Sequence, residues 1–172
     1  MEDKALLSTE VASGAEKAEL LIVIPAYNEA ENIERVVNHL TANFPQYDYV
    51  VVNDGSRDET AAICQRNGYN LLNLPVNLGL AGAFQAGLKY ADKYGYQYAV
   101  QLDGDGQHRP EYLESMIKKM EEGYDIVIGS RFVGEKKPFT MRMLGSNLIE
   151  MAIRFTTGVN IKDPTSGMRM FS

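Results

Sequence analysis

VQLDGDGQH, residues 100–108, carries an apolar run straight into two carboxylates with only a glycine between them. Like charges this close repel; at ~4 Å and an effective dielectric of ~20 the energy is roughly 4 kcal/mol. In an extended segment residues i and i+2 point the same way, so Asp103 and Asp105 aim at one target. Two carboxylates aimed together need a cation or a shared proton. A hard divalent ion meets that need and can bridge to phosphate groups, because Mg²⁺ keeps few protein ligands. Gln107 adds a neutral oxygen, and Gly104 and Gly106 permit tight turns and close approach of a ligand.

An EF-hand-like count from Asp103 sets Asp105 at position 3, Gln107 at 5 and Glu114 at 12. Position 6 is then His108 where a sharp turn needs glycine, and Pro110 follows. A strand, not a helix, precedes the loop. A calcium module is excluded, and His108 reads as a hydrogen-bonding loop residue.

The runs around this loop decide the fold. Residues 20–24 (LLIVI), 47–52 (YDYVVV), 70–74 (NLLNL), 96–102 (YQYAVQL) and 125–129 (DIVIG) are candidate strands. Helical periods separate them. Ile33, Val36, Val37 and Leu40 recur at helical spacing, with Asn28 and Glu31 read as a capping box. Ser56 and Glu59 read as a second box, opening a helix to about Asn67. A glycine-bearing helix follows over about 79–93. Pro110 sits at a helix start whose stripe is Leu113, Met116, Ile117 and Met120, and Gly123 ends it. Alternating strands and helices predict an α/β fold with a mostly parallel sheet. The strands show little polar alternation, which predicts a sheet covered on both faces. MRMLGSNLIEMAIRF, 141–155, is a further expected helix, apolar almost all round and read as core in preference to an interfacial element.

The polar residues fall at strand ends: IPAYNE after the first, NDGS after the second, DGDGQH after the fourth and GSR after the fifth. Parallel strands bring these to one carboxyl edge, where open α/β sheets bind ligands. Tyr27, Glu29, Asp54, Asp103, Asp105 and Arg131 are expected to converge there. No G-x-x-x-x-G-K-[ST] and no G-x-G-x-x-G follows the first strand, so P-loop and dinucleotide-binding readings fail. Gly79, Gly82 and Gly87 read as close-packing positions, with Gly79 also near a helix start that suits phosphate.

Composition fits this picture. The 172 residues suffice for one domain with a core. Cys64 is the only cysteine, so there is no disulfide framework or cysteine-based metal site. The net charge is −6, yet residues 130–172 hold 7 Lys+Arg against 3 Asp+Glu. An acidic chain is a poor nucleic-acid binder. Its basic last quarter suits a local anionic target such as phosphate or a lipid headgroup surface, unless the charges merely share a solvated face. Residues 1–19 lack the apolar core of a signal peptide and read as a disordered leader before a domain over 20–172. No run is long and apolar enough to span a membrane, which predicts a cytoplasmic protein, free or at the cytoplasmic membrane face.

VIPAYNEAENI (23–33), VVNDGSRDET (51–60), NLGLAGAFQAGL (77–88), DGDGQHRPEYL (103–113), GSRFVG (129–134) and DPTSGMRMF (163–171), in this order, resemble the family 2 glycosyltransferases. Within that family the resemblance is to the dolichyl-phosphate mannose synthase and polyprenyl-phosphate glycosyltransferase group. It implies an inverting enzyme of the GT-A fold, using a GDP- or UDP-sugar and Mg²⁺ or Mn²⁺. It implies that Pro25, Ala26, Tyr27, Glu29 and Asp54 hold the nucleoside, with Gly79 beside them. Asp103, Asp105 and Gln107 would hold the metal against the diphosphate. Arg131 would face the diphosphate or an acceptor phosphate, and Arg142 and Asp163 the acceptor, with Gly167 completing a D-x-x-x-G segment.

The acceptor choice can be argued physically. A hydroxyl acceptor needs a general base, for which Asp163 is the candidate. A phosphate acceptor is already anionic and needs only cations to position it. The basic segment favours a polyprenyl or dolichyl phosphate, with peripheral membrane contact through that segment. A saccharide hydroxyl acceptor is the alternative, and a nucleotide-sugar-binding module without turnover is the alternative of another class. The chain stops just past DPTSGMRMF, where members of the family continue, so an incomplete acceptor side is expected. A sugar-nucleotide pyrophosphorylase would want a glycine-rich basic signature where this chain has PAYNEA.

Overall fold

The computed structural model describes residues 19–104, 110–129, 151, 154–156, 158 and 167–172. Strand β1 (Leu20–Ala26) is buried along its whole length. Helix α1 (Ile33–Asn43), strand β2 (Asp48–Asn53), helix α2 (Thr60–Arg66) and strand β3 (Leu71–Asn73) follow. Helix α3 (Gly79–Tyr94) leads to strand β4 (Tyr98–Gln101). A 3₁₀ turn at Pro110–Tyr112 opens helix α4 (Leu113–Glu121), and strands β5 (Ile126–Ile128) and β6 (Arg169–Phe171) complete the described elements.

The sheet order is β3-β2-β1-β4-β6-β5. β1 is parallel to both β2 and β4, and β3 is parallel to β2. β6 is antiparallel to β4 and to β5. The fold is therefore α/β with a mostly parallel sheet, as the alternation predicts, but β6 carries no local signal and wedges between β4 and β5. β5 keeps the direction of β4 while lying two positions away. From β1 the chain builds outward through β2 to β3, then crosses back through α3 to β4 on the other side. The order reverses between β1 and β4, the switch point at which such sheets bind ligands.

Strand alternation sorts the core into two layers. Leu20, Ile22 and Ile24 face α1, α2 and α4, where Ile33, Val37, Leu40, Cys64, Leu113 and Met116 meet them. Leu21 and Val23 face α3, with Val50, Val52, Ala83, Phe84 and Ala91. Both faces of the central strands are covered. The edge strands depart from the expectation: β3 is only partly buried and Ile126 of β5 is exposed, because an edge has one neighbour.

The expected capping boxes do not form. α1 begins at Ile33 with no side-chain cap, and Asn28 has a φ of 57°, the left-handed region, whereas a helix cap sits in extended backbone. α2 likewise starts without a side-chain cap bond at Glu59. The cap-like side chains bond across loops instead. Of the apolar stretch 141–155, residues 151, 154 and 155 are described, in helical conformation. Met151 and Phe155 are 69% and 92% exposed, so these two side chains are not core, contrary to the expectation.

Candidate functional site

The β1–α1 and β2–α2 loops are laced into one wall at the carboxyl edge. The Asn28 N–H donates to Ser56 Oγ (3.0 Å), and the Arg57 N–H donates to Asn28 Oδ1 (2.9 Å). The Glu29 N–H donates to Thr60 Oγ1 (2.9 Å), whose hydroxyl donates on to Asp58 Oδ1. The Ala30 N–H donates to Asp58 Oδ2 (3.0 Å). The backbone amides ahead of α1 are thus satisfied by side chains 28 to 31 residues away, which is why neither helix forms its own box. Burial raises the Asp58 carboxyl, but hydrogen bonds from the Thr60 hydroxyl and from the Thr60 and Ala30 N–H groups outweigh it, leaving the group below the usual carboxylate range.

Asp54 joins this wall to α3. It is 2% exposed. Its Oδ1 accepts the Leu78 N–H at 2.7 Å, and its carbonyl accepts from Asn77 Nδ2 at 3.1 Å. Asn77 Oδ1 in turn accepts the Gly79 N–H at 3.2 Å. Gly55 lies between the two loops with φ +66°, and a Cβ there would stand 2.7 Å from the Asn77 nitrogen. Both the left-handed backbone and the close approach demand glycine.

These loops enclose a cleft of about 420 Å³ at the switch point. β1 and its loop contribute Pro25, Ala26, Tyr27 and Glu29. β2 contributes Asp54, and the loop after β4 contributes Asp103 and Gly104. Asn77, Gly79, Leu80 and Ala83 close it from the start of α3. All seven described residues among those expected at a nucleotide-sugar site, Pro25, Ala26, Tyr27, Glu29, Asp54, Gly79 and Asp103, line this one cleft. Asn77, Leu80 and Ala83 are additions. Their signal was the carboxyl end of β3, a fifth strand end that feeds the same edge.

Asp105, Gln107, His108, Arg131, Arg142 and Asp163 lie outside the described residues. Gly167 is described, just ahead of β6. The carbonyl of the next residue, Met168, accepts the Gly129 N–H at 2.9 Å, tying the end of β5 to β6. β6 thus stands between β5 and β4.

The cleft is acidic: Glu29, Asp54 and Asp103 all line it. Among the described residues no three His, Cys, Asp or Glu side chains come close enough to hold a metal ion by themselves. Asp103 offers a hard oxygen at the cleft, which suits Mg²⁺ or Mn²⁺ bound by few protein ligands and by ligand phosphates. Cys64 takes no part: burial pushes its thiol up to about 11, and it sits in the layer under α1 and α2.

A mostly parallel sheet flanked by helices, with an acidic cleft at its switch point, is the architecture of the GT-A glycosyltransferases. The chain belongs to the glycosyl transferase family 2, whose family model matches residues 21–172. It is 34% identical over 160 residues to the polyprenol monophosphomannose synthase of Mycolicibacterium smegmatis, covering 88% of this chain and 60% of that one. The chain therefore spans about three fifths of that relative's length. Among solved structures, Mycobacterium tuberculosis glucosyl-3-phosphoglycerate synthase with Mn²⁺, UDP-glucose and phosphoglyceric acid superposes with a TM-score of 0.68. At 20% identity, over 89% of this chain and 56% of that one, it shows the fold. S. aureus TarS 1–349 in complex with UDP-GlcNAc is 27% identical with a TM-score of 0.51, over 71% of this chain and 37% of that one. Among the described residues no helix is long and apolar enough to cross a membrane.

Proposed function

We propose that this chain carries the donor half of a metal-dependent, inverting glycosyltransferase that moves a hexose from a nucleoside diphosphate sugar to a polyprenyl or dolichyl phosphate. The observation that carries the reading is the cleft itself. It gathers Pro25, Tyr27, Glu29, Asp54, Gly79 and Asp103 from four separate stretches of chain. A relative 34% identical is named for a polyprenol-linked product, and TarS was solved with UDP-GlcNAc.

Electrostatics argues for the metal. A diphosphate entering a cleft lined by Glu29, Asp54 and Asp103 meets like charge. Asp103, with Asp105 and Gln107, would hold Mg²⁺ or Mn²⁺. When bound, the ion supplies fixed positive charge against the diphosphate. Pro25, Tyr27, Glu29 and Asp54 would hold the nucleoside against the laced wall. Arg131 would stabilise the charge that grows on the leaving diphosphate as the acceptor attacks the anomeric carbon from the opposite side. A phosphate acceptor needs no base, so Arg142 and the basic segment 130–172 would position it. Asp163 would then orient the acceptor instead of taking its proton. Such an acceptor brings the chain to a membrane surface, reached through that segment.

Calorimetry with GDP- and UDP-sugars, with and without Mn²⁺, tests the donor half. Binding that Mn²⁺ strengthens and that falls at least about tenfold in Asp105→Ala is expected, a loss in the range of removing a metal-site group. No nucleotide-sugar binding with Mn²⁺ present sinks the proposal for this chain. Transfer of radiolabelled hexose to a polyprenyl phosphate, against a saccharide acceptor, tests the other half.

A further inference from the structure

Gln101 closes β4 and is 6% exposed. It sits in register with Val23 of β1. Strand alternation places it on the same face as Ala99, the face toward α3. That layer is otherwise built from Leu21, Val23, Val50, Val52, Ala83, Phe84 and Ala91, all apolar. An apolar residue would serve packing better there, because a buried amide must find partners. Gln101 uses its donor on the cleft: Nε2 donates to Asp103 Oδ1 at 2.9 Å.

We infer that Gln101 is a positioning residue for Asp103. A carboxylate on a loop has more than one side-chain rotamer open to it. A donor fixed on the last residue of a central strand, and itself walled by the α3 layer, holds one carboxylate oxygen and so sets which way the group faces. Partners of this kind, one shell out from a metal, orient the ligand and tune its affinity. The inference rests on reading Asp103 as a holder of the divalent cation.

The test separates orientation from packing. Gln101→Met keeps the length and apolar stem but removes the donor. Mn²⁺ is titrated by electron paramagnetic resonance in the presence of UDP and of GDP, and metal-free UDP and GDP binding is measured alongside. Gln101→Met is expected to weaken Mn²⁺ binding about tenfold. Metal-free nucleotide binding and the thermal midpoint are expected to stay near the wild-type values. A merely structural glutamine would move stability, or both kinds of binding together. Gln101→Leu is the second variant; it also removes the donor, and a comparable loss of Mn²⁺ affinity is expected. Wild-type Mn²⁺ affinity in a folded Gln101→Met or Gln101→Leu chain overturns the inference alone. A wild-type chain with no Mn²⁺-dependent nucleotide binding overturns the functional reading, and the inference with it.

Discussion

On the face of the sheet covered by α1, α2 and α4, large side chains meet: Leu20, Ile22 and Ile24 from β1 against Ile33, Val37, Leu40 and Leu113. On the face covered by α3, the helix presents Ala83, Phe84, Gly87 and Ala91, mostly small. The first layer holds the helices away from the sheet. The second lets a helix backbone lie almost on it. A Cβ at Gly87 would stand 2.2 Å from Val23 Cγ1. That closeness brings the start of α3, with Gly79, Leu80 and Ala83, into the lip of the cleft. The thick face supports the sheet, and the thin face helps shape the site.

Two substitutions test this contrast. Leu40→Ala removes a fully buried side chain from the thick layer and is expected to cost about 3 kcal/mol of stability, transfer and cavity terms together. Urea unfolding measures it, and nucleotide binding by the folded fraction should not change. Gly87→Ala is expected to cost about 2 kcal/mol through overpacking against Val23. Here binding should weaken too, because α3 must lift and carry the lip with it. Pairing it with Val23→Ala should recover part of both losses. If Gly87→Ala leaves nucleotide affinity intact, the thin layer does not shape the cleft.

The same contrast explains what could be read from the sequence. The central strands β1, β2 and β4 are continuous apolar runs because both faces are covered, and their ends announce the site residues Pro25, Tyr27, Asp54 and Asp103. β6 escapes because Arg169–Phe171 is a strand only through its pairing with β4 and β5, and β5 lies 41 residues earlier in the chain. Asn28 and Ser56 have the spacing of helix caps, but spacing cannot reveal a better partner in another loop. NLGLAG reads as packing, and Gly82 does pack, since a Cβ there would stand 2.5 Å from Leu78 Cβ; Gly79 does not, having open space at that position and a φ of +76° that favours glycine. Only the sheet order shows that the same turn also closes the cleft.

The laced wall is the polar counterpart of the thick layer, since it fixes the starts of α1 and α2 as Asp54 and Asn77 fix that of α3. Asp58 is its hub, accepting from Ala30, the Thr60 N–H and the Thr60 hydroxyl. These bonds outweigh the desolvation that raises its carboxyl and leave it below the usual range. A carboxyl lowered in the folded state stabilises fully above its unfolded value, about 3.9, and loses that contribution as pH falls through the folded value. Asp58 is exposed, so solvent screening limits the effect to about 0.5 kcal/mol. Asp58→Ala should therefore melt slightly below the wild type at pH 7, and the gap should close below about pH 3.9. Thermal melts of both proteins from pH 7 downward measure it. A gap that persists unchanged into acid would mean that the loops are held by packing and not by this carboxylate.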